Sequence, residues 1–201
     1  MYVIRFRNTM NGPRSKDFLR GYGFQGGNSV ELSWGAPGFG EDWMRQLLDP
    51  VTRVGFSGFG ECLPYHQNHV SIDESTVDTY GIPVLHVDMA WGENERTMVQ
   101  DMAVTAAEML EAAGAENIEP YAHPDRVPGY GIHELGVARM GNNPKTSVLN
   151  QFQQAHDIDN LFVMDGAGFP SGACQNPTLT IMTLAVRSCD FLMEEMRQGN
   201  L

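Results

Sequence analysis

His133, in the run GIHELGVARMG, and Asn176, in QNPTLT, are the two side chains whose types and settings could do chemistry together. An imidazole that titrates near neutral pH is the usual acceptor for the proton of an alcohol being oxidised. Asn176 opens what reads as a helix, because asparagine is a favoured N-cap and Pro177, at the first helical position, loses nothing by lacking an N–H. The free amides and positive end of such a helix favour negative charge developing nearby, as on an oxyanion or one edge of an electron-accepting ring. Gly131, Gly136 and Gly141 would let backbone approach a planar ligand, and Arg139 offers a fixed cation. The pair is therefore read as a proton-transfer couple beside an electron acceptor. Alone, each has a plainer reading: a helix cap for Asn176, a hydrogen-bonded loop residue for His133.

The elements that must position these loops follow from periodicity. Tyr2–Phe6 and Val30–Trp34 fit strands, and the Gly-rich runs RGYGFQGG, GAPGFGE and VGFSGFGE read as connectors. GEDWMRQLLDP, with Trp43, Met44, Leu47 and Leu48 on one face and Pro50 closing it, predicts a short amphipathic helix packed on that sheet. NHVSID and GIPVLHVDMAW follow as strands, the second with Leu85, Val87 and Met89 alternating against Val84, His86 and Asp88 in a half-buried pattern. A helix over 93–113 carries Met98, Met102 and Met109, with Gly114 at its C-terminal stop. The proline-rich EPYAHPDRVPGYG reads as a linker near 119–131 and places a domain boundary there, dividing the chain into residues 1–125 and 126–201. LFVMDG reads as a buried strand, and 177–197 as a helix with Leu179, Met182, Val186, Cys189, Met193 and Met196 on one core-facing stripe.

Composition narrows the classes of partner. The 201 residues are 42% hydrophobic, enough for a real core. A formal net charge of −12 with no Lys/Arg cluster argues against nucleic acid or an anionic membrane surface as partner. No apolar run approaches the roughly 18 residues needed to span a bilayer, and MYVIRFRN carries no export signal. That reading predicts a soluble chain, cytoplasmic, or periplasmic if exported with a partner. Cys62, Cys174 and Cys189 are odd in number and far apart, which predicts buried thiols more than a disulfide framework. Because MYVIRFRN already reads as a strand, the chain is expected to be the C-terminal part of a longer protein or one piece of a split one.

Taken together, GECLPYHQNHVSID, GIPVLHVDMAWGENE, HELGVARMG and NLFVMDGAGFPSGACQNPTLTIMTLAVRSCD resemble the C-terminal region of the glucose-methanol-choline (GMC) family of FAD-dependent oxidoreductases, over about residues 59–196. The resemblance implies an α+β chain with a mostly antiparallel substrate-domain sheet, a partial substrate-binding domain over 1–125. It further implies that 126–201 returns as the C-terminal strand and helix of an FAD-binding α/β domain whose N-terminal Rossmann portion is missing. It implies that His133 accepts the substrate hydroxyl proton, that Asn176 holds the same oxygen, and that the carbon-bound hydrogen leaves as hydride to flavin N5. Asp165 and Gly166 would meet the ribityl-phosphate side of FAD, and Pro177–Thr178–Leu179 its pyrimidine edge, with Thr178 donating. The implied partners are an alcohol or sugar substrate and an N-terminal FAD-binding segment in cis or in trans. Similarity to some bacterial sugar dehydrogenases adds a small subunit and a cytochrome c acceptor. None of the Gly-rich runs follows a buried strand and opens a helix with an acidic residue about twenty positions on, so none reads as a dinucleotide-binding turn.

Two other readings stand beside this one. Cys62, His66 and His69 give C-x3-H-x2-H without an evident fourth ligand, so no metal site is predicted. A non-catalytic carbohydrate-binding or interaction fragment is the alternative, its sugar-stacking rings drawn from Tyr22, Phe24, Trp34, Phe39, Trp43 and Trp91.

Overall fold

The computed structural model describes residues 1–5, 7–9, 14, 17–31, 37–48, 51–122, 127–129 and 131–201, apart from the side chains of Glu31 and Gln46. Its elements in chain order are strands β1 (Tyr2–Val3) and β2 (Tyr22–Glu31), helix α1 (Glu41–Leu48), strands β3 (Val51–Gly60), β4 (His69–Val77) and β5 (Pro83–Asp88), and helices α2 (Glu93–Ala112) and α3 (Thr178–Gln198). A 3-10 turn at Gly166–Gly168 precedes α3. β1, β2 and β3 form one antiparallel sheet in that order, and β4 and β5 pair as a second. The chain is thus α+β with antiparallel sheets, as expected. Phe6, Trp34, Pro50 and the proposed boundary at 125/126 lie outside the described residues.

The Gly-rich runs are the main correction. GYGFQGG and VGFSGFG are not connectors but the two halves of a ten-pair ladder, Tyr22↔Gly60 through Glu31↔Val51. Gly58 and Gly60, two apart on one face of β3, are bare for a reason. A Cβ on Gly58 would come within 2.6 Å of Met102 Sδ, and one on Gly60 within 2.7 Å of Met98 Sδ, so bare backbone there lets α2 lie close to the sheet. Tyr22 and Phe24 fill the same face, fully buried with Phe18, Met98 and Met102 in the core, and their rings meet edge-to-face at 5.5 Å. Two of the six rings offered for sugar stacking are therefore core, whereas Phe39 is exposed. Tyr22 also keeps its hydroxyl satisfied, donating to Asp101 with Arg7 and Thr105 alongside.

α2 matches its expected span, and Gly114 takes a left-handed φ of +83° just beyond it. Glu95, in its first turn, is buried and accepts from Gly92 N and Leu63 N, both at 3.0 Å. Together these bonds fix where the helix begins against the segment after β3. α1 forms where its pattern predicts, braced by Arg45–Glu41 at 2.9 Å, but Met44 and Leu48 stay exposed, and the helix covering the sheet is α2.

Three further expectations fail on burial or pairing. Leu85 and Val87 of β5 are exposed, as is Ile72 opposite Leu85, so the half-buried alternation of β5 is not met within this chain. LFVMDG is no strand: only Phe162 makes a bridge, to Gln154, and Leu161 is exposed. A strand needs a continuous neighbour, and here the segment bonds to its own preceding loop through Val163 N to Gln153 O at 2.9 Å. The apolar stripe of α3 also faces outward, with Leu179, Met182, Val186, Met193 and Met196 all more than half exposed. What α3 buries instead is Ser188, whose Oγ donates to the buried Gln153 Oε1 at 2.9 Å.

Candidate active site

The loop that carries His133 is zipped by backbone to the Gly-rich turn upstream of Asn176. Gly136 N donates to Gly166 O, Ala138 N to Ala167 O and Met140 N to Gly168 O, at 3.0, 3.0 and 2.8 Å. HELGVARM and DGAG therefore lie side by side. Gly136 takes φ +107°, a region that favours glycine, and Gly166 is pressed so closely that a Cβ there would sit 2.6 Å from Leu135 Cδ2. Asp165 Oδ1 accepts from Ala167 N at 2.7 Å and caps the 3-10 turn. Arg139 spends its Nε on Thr146 O at 2.6 Å, a use the sequence reading did not anticipate.

His133 and Asn176 both reach the outer face of the β2–β3 ladder. Because Phe24, Gly58 and Gly60 face α2, strand alternation turns Gln25, Ser57 and Phe59 to the opposite side. The half-buried His133 ring lies 6.1 Å from the Phe59 ring, tilted by 40°. Asn176 Oδ1 accepts from Gln25 Nε2 at 3.0 Å. Gln25 pairs with Ser57, two residues from Phe59, so these supports are diagonal neighbours on one sheet face.

Asn176 does not do what its position suggests. α3 has no side-chain cap bond; Pro177 sits at its start with helical dihedrals of −86° and −14°, and its carbonyl accepts from Ile181 N at 3.0 Å. The asparagine side chain is turned to β2 instead. Thr178 and Leu179 are exposed in the first turn of α3, where backbone N–H groups have no partner within the helix.

A third link ties the loop before α3 to the sheet. Glu61, buried at the end of β3, takes Arg5 at 3.3 Å and Arg20 at 3.5 Å, and accepts from Ser171 Oγ at 3.1 Å. Gln25, Phe59, Glu61 and Ser171 escaped the sequence reading. The signal that could have found the first two is the period-2 alternation hidden in the Gly-rich runs, which glycine's lack of a side chain obscures.

Cys62 does not join a ligand cluster with His66 and His69: its Sγ lies 3.5 Å from Leu63 O, and His69 Nδ1 is 2.8 Å from Gln67 O. Among the described residues no group of three or more His, Cys, Asp or Glu side chains could hold a metal ion. Burial pushes the Cys62 thiol up to about 11 and also raises that of Cys174, whereas Cys189, expected to be buried, is exposed on α3. Also among the described residues, no helix is long and apolar enough to cross a membrane.

Comparison with known proteins gives the same direction. The family model described as GMC oxidoreductase matches residues 64–185. The chain is 37% identical over 134 residues to a 2-methyl-1,2-propanediol dehydrogenase of Mycolicibacterium austroafricanum, covering 67% of this chain and 24% of that protein. It is 29% identical to the gluconate 2-dehydrogenase flavoprotein of Pantoea cypripedii, covering 80% of this chain and 27% of that protein. With the fructose dehydrogenase large subunit of Gluconobacter japonicus it shares 30% identity over 69% of this chain and 25% of that one. The chain spans about a quarter of the length of these relatives. The match takes in His133, Asn176, Asp165 and the start of α3, and on it the chain belongs to the GMC oxidoreductase family.

Proposed function

We propose that this chain supplies the substrate-facing part of an FAD-dependent oxidoreductase that oxidises an alcohol or sugar CH–OH group. His133 is the general base and Asn176 the hydrogen-bonding partner of the same oxygen. The observation that carries this reading is that both side chains rest on one face of the β2–β3 ladder, through Phe59 and Gln25. The relatives named for a diol, gluconate and fructose support the substrate class. We divide the chain into a partial substrate domain, 1–125, and a returning segment, 126–201.

The residues present fit a flavin. The exposed first turn of α3 offers Thr178 N–H and Leu179 N–H, Pro177 having none to give, and the positive helix end favours an anionic ring edge. The exposed Asp165 caps the 3-10 turn beside the His133 loop, with the half-buried Gly166 next to it and Asp165 Oδ2 left over from the cap. When bound, FAD supplies the two-electron acceptor for the carbon-bound hydrogen. The protein's own work is to take the hydroxyl proton at His133 and to offer the Asn176 amide to the oxygen as it gains charge. The exposed apolar stripe of α3 supports a further segment packing there, an N-terminal FAD-binding part in cis or in trans. The name "large subunit" on one relative supports a small-subunit partner, and a cytochrome c acceptor is proposed beside it.

The test is spectroscopic. The purified protein combined with an FAD-binding segment should take up stoichiometric FAD where the chain alone stays colourless and inactive, and alcohols or sugars should bleach the absorption band of the combined enzyme. A chain that leaves the flavin oxidised with a broad panel of both would overturn the reading.

A further inference from the structure

We infer that Gln25 is a positioning residue that sets which end of the Asn176 amide faces the substrate; this rests on the role proposed above for Asn176. A primary amide presents an acceptor oxygen on one side and two donor hydrogens on the other, in nearly the same shape. Gln25 Nε2 donates to Asn176 Oδ1 at 3.0 Å, so the oxygen is turned toward β2 and Nδ2 toward the other side. That polarity is the one the chemistry needs. An alcohol oxygen losing its proton gains negative charge, which a donor stabilises and a carbonyl oxygen opposes.

The support stands on a strand and the supported residue on a loop. Gln25 sits inside the ladder, paired with Ser57, and its neighbour Phe24 is locked in the core at 1% exposure. Asn176, by contrast, lies on an exposed turn and makes no cap bond to α3. A side chain on a strand is a more exact brace than one on a loop. The strand thereby transmits the core packing of Phe24 against Met98 and Met102 to an amide 151 residues away in sequence.

Two readouts test this. In the FAD-loaded enzyme, the limiting rate of flavin reduction is measured anaerobically with 2-methyl-1,2-propanediol, gluconate and fructose as probes. Gln25→Glu keeps the length but can only accept, so it should turn the amide around and lower that rate about tenfold. Gln25→Ala should cost less, and neither change should cost anything further when Asn176 is already alanine. Independently of turnover, the Asn176 side-chain amide resonance of the whole chain should move in Gln25→Glu while the melting temperature stays near wild type. A wild-type enzyme reduced by a probe, with Gln25→Glu silent in rate or equally harmful in the Asn176→Ala background, overturns the role of Gln25 alone. An amide resonance that does not move also overturns it. A wild-type flavin that no probe reduces counts instead against the functional reading, and the role of Gln25 falls with it.

Discussion

Ser171 Oγ donates to Glu61 Oε1 at 3.1 Å across 110 residues of sequence, joining the loop before α3 to the end of β3. Glu61 is 5% exposed and holds Arg5 and Arg20 as well, so one carboxylate ties together the N-terminal segment, the sheet and the C-terminal loop. Glu61→Ala removes all three partners at once. It should lower stability by about 2 kcal/mol, the scale for stranding buried groups that lose a charged partner. Thermal melting checks this, and an unchanged midpoint would show the network to be idle.

His133→Ala should lower the rate of flavin reduction by roughly 10² or more, the usual loss for a missing general base. The Phe59–His133 contact is a ring contact at 6.1 Å with little at stake for folding, so the melting temperature should barely move. Stopped-flow reduction beside a melt separates the two effects.

Asn176→Ala should slow reduction without the stability loss expected of a capping asparagine. Removing a working N-cap costs about 1 kcal/mol, but α3 has no side-chain cap bond to lose. A drop of that full size in a denaturant titration would contradict the observed orientation of the side chain.

Ser188 and Gln153 should behave as a coupled pair. Both are fully buried, and Gln153 also reaches Asp165 O through Nε2 at 3.5 Å. Either alanine substitution strands the other's polar atom at about 1–3 kcal/mol, and the double substitution should cost less than the sum. Additive losses in a double-mutant cycle would mean the two act separately.

The thiols give a pH test. Cys62 ionises at about 11 in the folded chain against an ordinary 9.0, because burial disfavours the thiolate. The unfolded chain therefore releases this proton first. The stability it contributes is complete below about 9 and is lost as pH rises toward about 11. Cys62→Ala should flatten that decline in urea midpoints. Near neutral pH the exposed Cys189 should alkylate before Cys62 and the buried Cys174.

The antiparallel α+β class came through the family resemblance, while the residues read on their own already specified the family-bearing loops, α2 with its Met98 and Met102 face and its Gly114 stop, and the span of α3. These rest on local signals: a helical period, a helix stop, a run of loop residues with their own backbone logic. The sequence alone misread GYGFQGG and VGFSGFG because glycine erases the alternation that marks a strand, and the reason for Gly58 and Gly60, α2 lying over them, is a contact about forty residues distant in sequence. It misread the stripe of α3 as core because amphipathicity says which face is apolar but not whether a partner within the same chain covers it. His133 and Asn176 could be nominated from sequence. That they share a sheet face, and that Gln25 rather than the helix holds Asn176, was decided only in three dimensions, where hydrogen bonding follows distance and not chain order.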